Sequence, residues 1–451
     1  MATPARRSAS VTSGCANYPS GGAGDLDRRR SSRNQAGSHC GTARLPSLLN
    51  AAFKSLVKTG ALEIVTARGE RLAFGDGTGT PVAIRFADPA AELALLMNPE
   101  LATGELFTDG RLIVERGTIY DFLLLSLQNA KGAPDPVAVQ VLDEVRVAAG
   151  RFVARNTPIR AQRNVAHHYD LGDELYALFL DPDWQYSCAY FESPDQDLAA
   201  AQLAKKRHIA AKLLVEPGQS VLDIGCGWGG LALYLARTAE AGQVLGVTLS
   251  EEQLARAKAR AAEAGIPEQA VFALQDYRKV EGVFDRVVSV GMFEHVGLAF
   301  YGAFFQTVRR RLAPDGVALI HTIGSPDVPG PTNAWIRKYI FPGGHIPSLS
   351  DIAPHVERAG LVLTDLETLG PHYALTLRAW RDNFMARREA AKALFDERFC
   401  RMWEFYLAMS EAAFRTDDIT IFQLQLAHRR TAVPMTRGYI AEREAQLRGR
   451  E

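Results

Sequence analysis

At 451 residues and 47% hydrophobic content the chain can bury two packed domains, which excludes a largely disordered protein. Lys+Arg and Asp+Glu each total 51, so net charge argues for neither nucleic acid nor an anionic surface as a partner; runs such as KKRH at 205–208 and Arg429-Arg430 read as local basic patches. No apolar run reaches the roughly 18 residues that cross a bilayer, and the cysteines at 15, 40, 188, 226 and 400, without C-x-x-C pairing, read as reduced cytosolic thiols with no metal centre expected.

Residues 1–44 are rich in Ser, Gly, Arg and Ala, lack apolar periodicity and read as a disordered extension without the apolar core of a signal peptide. A smaller α+β domain is expected over 45–150. It opens with an amphipathic helix (LPSLLNAAFKSLVKTG), continues through the strand-like runs LEIVTA, RLAFGDG and VAIRFAD, and closes with Leu112, Ile113 and Val114 before an apolar helix near 117–128. No catalytic constellation is visible there, so packing or substrate recruitment is its expected work. The domain over 151–451 begins with NVAHHYDLGDELYALFLDPDWQYSCAYF at 164–191, a stretch too polar for a simple core helix. A helix is expected from about Asp173 to Leu180, with Tyr186-Ser187-Cys188 in a loop after Pro182. The stretch reads equally as a lid over a pocket and as a capping helix with surface histidines.

VLDIGCGWGG at 221–230 is the most informative run. Val221, Leu222 and Ile224 read as a buried strand, Asp223 as a carboxylate at its C-terminal end, and Gly225 and Gly227 as bare backbone on which a nucleotide-type cofactor can lie. G-x-G turns also occur in purely structural βα units, but here the alternation continues through QVLGV (243–247), a helix at 250–264 opened by Ser250 and Gln253 as an S-x-x-Q capping box, AVFAL (270–274), FDRVVSV (284–290), a helix near 299–313 and GVALIHT (316–322). The expected fold class is α/β, a doubly wound, mostly parallel Rossmann-like sheet with the smaller α+β domain before it. Ligands of such sheets sit at the carboxyl ends of the strands, where Asp223, Thr248, Asp276 and Glu294 fall. A P-loop is excluded, and the dinucleotide fingerprint is shifted to G-x-G-x-G-G. The pattern resembles the S-adenosylmethionine methyltransferases, except that the second strand ends in Thr248 where an acidic residue usually grips the ribose, leaving Gln253 as the nearest substitute.

HHYDLGDELYALFLDPDWQYSCAYF, VLDIGCGWGGLALYLA, GVTLSEEQ, QDYR (275–278), FDRVVSVGMFEHVG (284–297), LIHTIG (319–324) and WIRKYIFPGG (335–344) together resemble, in order from about Asn164 to Arg430, the cyclopropane-fatty-acyl-phospholipid synthases. The 45–150 unit stands where that family carries its lipid-interacting domain. For S-adenosylmethionine the resemblance implies Tyr186 and Ser187 over the methionine end, Asp223, Gly225 and Gly227 beneath it, Thr248 and Gln253 near the ribose, and Asp276 with Tyr277 or Arg278 near adenine. It further implies that a cis alkene of an unsaturated phospholipid attacks the sulfonium methyl, and that a bound bicarbonate ion, held by Cys188, Glu294, His321 and Tyr373, takes the proton whose loss closes a cyclopropane ring.

Phe293, Tyr301, Trp335 and Tyr339 are candidates to face the intermediate cation. Ser410 in YLAMSEAAF replaces a cysteine that many members carry; it reads as pocket lining, since an unactivated serine is a weak nucleophile. The implied setting is cytoplasmic and peripheral to the inner face of the membrane, with LPSLLNAAFKSLV or the 117–128 helix resting on the bilayer, no nucleic-acid partner, and a homodimer left open. Methyl-branching or methylene-forming acyl methyltransfer, small-molecule amine methylation and non-catalytic lipid binding stay as alternatives. A nucleic-acid amino methyltransferase ranks lower because VGMFEH stands where [DNS]-P-P-[YFW] is expected.

Overall fold

The computed structural model of the chain describes residues 45–131 and 172–451. The 1–44 extension, the boundary at 150/151 and the start of the aromatic stretch at 164–171 lie outside the described residues. The N-terminal part runs α1 (Leu45–Leu56), β1 (Ala61–Val65), β2 (Arg71–Phe74), β3 (Pro81–Phe86), α2 (Pro89–Met97), α3 (Pro99–Thr108), β4 (Leu112–Arg116) and α4 (Ile119–Ala130). Its four strands pair in the order β2-β1-β3-β4. The helices α2 and α3 escaped the sequence reading, although Asp88-Pro89 and Asn98-Pro99 announce both. Each Asx side chain accepts a backbone N–H of the first turn (Ala91 at 3.0 Å, Leu101 at 3.4 Å), and proline follows where no N–H is needed.

The second part contains α5 (Asp173–Ala177), α6 (Leu198–Leu213), β5 (Ser220–Ile224), α7 (Gly230–Arg237), β6 (Gln243–Thr248), α8 (Glu251–Glu263), β7 (Ala270–Leu274), β8 (Phe284–Val290), α9 (Tyr301–Arg311), β9 (Leu312–Gly324), α10 (Ala334–Tyr339), α11 (Leu349–Ala359), β10 (Val362–Thr368), α12 (Gly370–Ala386), α13 (Arg388–Leu394), α14 (Glu397–Arg415), β11 (Thr420–Ala427) and α15 (Gly438–Arg448). Its strands form a seven-stranded sheet ordered β10-β11-β9-β8-β5-β6-β7, in which only β11 runs against its neighbours. This is the expected α/β class, and the strand order reverses between β5 and β8, where such sheets leave a ligand crevice. α5 stops at Ala177, short of the expected Leu180, because Asp181 and Pro182 turn the chain: the Asp181 carboxylate accepts N–H bonds from Asp183 and Gln185, each at 2.9 Å. The capping box at α8 is half formed. Ser250 accepts from the Gln253 N–H at 3.2 Å, but the Gln253 side chain turns away to accept from the Thr248 hydroxyl at 3.0 Å.

The KKRH run is no surface patch. Lys205, Lys206, Arg207 and His208 are buried on α6, which packs against α15 and the sheet. Arg429, by contrast, is exposed and paired with Asp315. The N-terminal helices share a core with α12 and α14, in which Leu49, Phe53, Phe107 and Phe122 join Trp380, Trp403 and Leu407. α1 and α4 therefore turn their apolar faces inward, leaving Leu48, Leu93 and Met97 exposed on this part of the surface. α3 is fastened to α10: Gly104 lies so close to Trp335 that a Cβ would come within 2.5 Å of the indole, and Glu105 accepts from Lys338 (2.6 Å) and Tyr339 (2.8 Å).

Candidate functional site: two cavities with a common wall

The first cavity opens at the carboxyl ends of β5, β6 and β8, and Tyr186, Ser187, Asp223, Gly225, Gly227, Thr248, Gln253, Asp276, Tyr277 and Arg278 all line it. β5 delivers Asp223 and then turns through Gly225 at φ +83°, where a Cβ would sit 2.8 Å from the Met292 side chain. Glycine is therefore required twice over, by backbone sterics and by space. The Gly225 and Cys226 N–H groups both donate to the Val247 carbonyl (2.9 and 3.1 Å), which ties the turn to β6. Cys226 is buried filler beside it. Asp223 Oδ2 is buried without a hydrogen-bond partner, and burial pushes the carboxyl up to about 7 against the pull of Lys205. At the far end Arg278 donates through its backbone N–H (2.9 Å) and Nε (2.8 Å) to Asp276, locking that carboxylate in place.

The 181–187 segment roofs this cavity, and α6 and α8 hold it down. Asp183 pairs with Lys206 at 2.6 Å and with Arg260, whose guanidinium also donates to the Trp228 carbonyl at 2.9 Å. Lys205 Nζ donates to Gln185 Oε1 at 2.6 Å and to Ser187 Oγ at 2.8 Å. Burial lowers the pKa of this ammonium to about 8, so it is still charged at neutral pH.

A second cavity of about 330 Å³ adjoins the first and is far more apolar. Tyr186, Ser187, Gly291 and His295 line both. Cys188, Glu294, His321 and Tyr373, drawn from the roof, the β8 end, β9 and α12, meet on its wall together with Ser410. Glu294 Oε1 accepts from the Ile323 N–H at 2.6 Å, while Oε2 has no hydrogen bond, the nearby Thr322 hydroxyl being turned to the Ile323 carbonyl at 3.0 Å. Burial raises the Glu294 carboxyl to about 7. It lowers His321 to about 3, leaving a neutral imidazole, and pushes the Cys188 thiol well up, so the thiol stays protonated. With the Gln423 amide donating to His321 Nδ1 at 3.1 Å, the ring proton sits on Nε2, an atom without a protein partner. Tyr186 and Tyr406 share a hydroxyl hydrogen bond of 2.8 Å across the wall.

The structure thus brings together every catalytic candidate in one cavity and every cofactor candidate in the other. It does not do so for Phe293, Tyr301, Trp335 and Tyr339: none lines either cavity, and the first three are buried in the packing of 3₁₀ turns and helices. The aromatic residues that line the apolar cavity are Tyr186, Phe341, Tyr373, Tyr406 and Phe414. Sequence reasoning also missed Lys205, taken as part of a basic patch, and Gln423, whose strand neighbour His321 becomes visible only through the β9–β11 register. Among the described residues no group of three His, Cys, Asp or Glu side chains is arranged to hold a metal ion.

Comparison with known proteins accords with this geometry. The family model described as mycolic acid cyclopropane synthetase matches residues 156–424. The cyclopropane-fatty-acyl-phospholipid synthase of Escherichia coli K12 is 40% identical over 344 residues, covering 76% of this chain and 87% of that protein. The tuberculostearic acid methyltransferase UfaA1 of Mycobacterium tuberculosis is 37% identical over 379 residues, covering 79% and 87%. Among solved structures, the mycolic acid cyclopropane synthase CmaA1 in complex with SAH and CTAB superposes with a TM-score of 0.56 at 34% identity, covering 59% of this chain and 97% of that one. The chain belongs to the mycolic acid cyclopropane synthetase family and is an S-adenosylmethionine-dependent methyltransferase of the cyclopropane synthase type.

Proposed function

We propose that the chain transfers a methylene derived from S-adenosylmethionine onto the cis double bond of an unsaturated phospholipid acyl chain, forming a cyclopropane acyl chain. The observation that carries this reading is the common wall: Tyr186, Ser187, Gly291 and His295 separate a glycine-floored cavity lined by charged side chains from a larger, mainly apolar one of about 330 Å³. When bound, S-adenosylmethionine supplies a methyl group on a sulfonium. Tyr186, Ser187, Asp223, Gly225 and Gly227 hold its methionine end, Thr248 and Gln253 its ribose, and Asp276, Tyr277 and Arg278 its adenine. The apolar cavity excludes water and holds the alkene, a poor nucleophile, in one orientation, so positioning and desolvation supply much of the acceleration. Tyr186, Phe341, Tyr373, Tyr406 and Phe414 offer aromatic surface that stabilises positive charge without capturing it.

The buried atoms left over on the catalytic wall fit a bicarbonate ion. Of these, His321 Nε2–H is a donor and Glu294 Oε2 an acceptor for the ion's hydroxyl, and the Tyr373 hydroxyl lines the same cavity as a further polar group. Such an ion supplies a weak base beside a sulfonium that a stronger one would itself attack. Leu127 of α4 reaches the apolar cavity, which supports a lipid-presenting role for the 45–150 unit. Since no described helix is long and apolar enough to cross a membrane, contact with the inner face of the bilayer is proposed as peripheral.

The test is incubation with methyl-labelled S-adenosylmethionine and vesicles of cis-unsaturated phospholipid, followed by mass spectrometry of the released fatty acids. A labelled product one CH₂ heavier that resists mild hydrogenation is expected. A labelled product that takes up hydrogen would instead mean methyl branching or methylenation of an unsaturated chain. Absence of labelled lipid would sink the reading.

A further inference from the structure

α6 carries a row of buried bases, and the way they are paired singles one of them out. Lys206 pairs with Asp183 at 2.6 Å, Arg207 with Glu451 at 2.9 Å and Glu192 at 3.1 Å, His208 with Glu367 and Glu444 at 2.7 and 2.6 Å, and Lys212 with Asp365 and Glu367 at 3.0 Å each. Lys205, only 1% exposed, makes no ion pair with a carboxylate among the described residues. Asp181, Asp183 and Asp223 attract it only from beyond contact distance, and a buried ammonium with no carboxylate in contact is poorly compensated, so its retention asks for an anion. Two of its three N–H groups are taken by neutral oxygens, Gln185 Oε1 and Ser187 Oγ. The third is unassigned, and Lys205 lines the first cavity. Because Ser187 Oγ accepts from Lys205, its own proton is free to be donated onward. Asp223, in the same cavity, is the opposite case, a buried carboxylate with Oδ2 unpartnered. The two attract each other without being in contact.

One cation and one anion, each short of a partner and both beside the glycine turn, match a zwitterion. We propose that Lys205, through its free N–H and through Ser187, recognises the carboxylate of the methionine end of S-adenosylmethionine, while Asp223 takes the α-ammonium. The assignment rests on the cofactor reading above and adds to it a residue that the glycine motif does not contain.

Isothermal titration with S-adenosylhomocysteine and with its decarboxylated analogue, S-adenosyl-3-thiopropylamine, tests it without relying on turnover. Wild type is expected to prefer the carboxylated ligand by about 20-fold or more. Lys205→Met should lose roughly that factor for S-adenosylhomocysteine while its affinity for the analogue changes by less than about twofold. Lys212→Met, which removes a buried lysine remote from the cavity, should leave the preference intact. Equal losses for both ligands in Lys205→Met would reduce Lys205 to a brace for the 185–187 segment and overturn the proposal. Should Lys205→Met not fold, the wild-type preference decides, since equal affinity for the two ligands overturns the assignment by itself. Failure of wild type to bind S-adenosylhomocysteine at all would instead overturn the cofactor reading beneath it.

Discussion

The cofactor cavity takes most of its lining from one stretch of chain, strand ends between Asp223 and Val296 with a roof from 184–187, whereas the apolar cavity is assembled from α4, the roof, β9, α10, α12, α14 and the start of β11. The first is the more polar of the two and carries the ionisable side chains of Lys205, Asp223, Asp276 and Arg278. In the second apolar surface dominates, and its polar groups include the unpartnered Glu294 Oε2 and His321 Nε2. A site that binds a charged molecule common to many enzymes can be encoded locally by one βα turn. A site that must keep a hydrocarbon dry needs walls on every side, and only distant segments can supply them.

Substitutions that separate the two cavities test this contrast. Glu294→Gln replaces the Oε2 acceptor on the wall of the apolar cavity by an amide donor and should lower turnover by about a hundredfold or more, with S-adenosylhomocysteine affinity by calorimetry within about twofold of wild type. Equal loss of both would mean that the cavities are one energetic unit. Gly225→Ala should do the reverse. Its Cβ meets Met292 in a left-handed backbone conformation, so cofactor affinity should fall by about 30-fold, and turnover at saturating cofactor should recover most of its wild-type value.

A third, smaller effect is one of pH. Asp223, raised to about 7 by burial, must be ionised to meet an ammonium group. The neutral form gains population as pH falls, so S-adenosylhomocysteine affinity should drop by about fivefold between pH 8 and pH 6. Above about 8 it should weaken again as Lys205 loses its proton. Asp223→Asn should flatten the acid limb, and an unchanged limb in that variant would assign it to another group. The smallest change is expected from Ser410→Ala, for which turnover on vesicles should stay within about threefold of wild type, as befits a wall residue. A loss comparable to that of Glu294→Gln would move Ser410 into the chemistry.

The legibility of the sequence follows the same division. Asp223, Gly225, Thr248 and Asp276 could be placed from strand and turn patterns alone, because each lies within a few residues of a readable strand end. Cys188, Glu294, His321 and Tyr373 came together only through resemblance to a family, since nothing local says that β9 and α12 face one cavity. The aromatic candidates failed for a related reason: Phe293 sits next to Glu294 but points into the packing beneath the sheet ends, a direction set by the 3₁₀ turn at 293–295. Lys205 was misread because a run of bases looks solvated when its partners, Asp183, Glu367, Glu444 and Glu451, lie on elements up to 244 residues away.

The attachment of α3 to α10 bears on how such proteins can be recombined. Gly104 fits Trp335, Glu105 grips Lys338 and Tyr339, and Glu100 Oε1 accepts from the Ala334 N–H at 2.6 Å. α10 in turn contributes Ile336 to the apolar cavity. A chimera that exchanged the N-terminal third for that of a relative would import a foreign neighbour for this helix, and with it a different outline for the hydrocarbon. The natural unit of exchange therefore includes, besides the N-terminal third, 333–341 and the α12 and α14 helices that share its core, pieces far apart in the gene that have to travel as one.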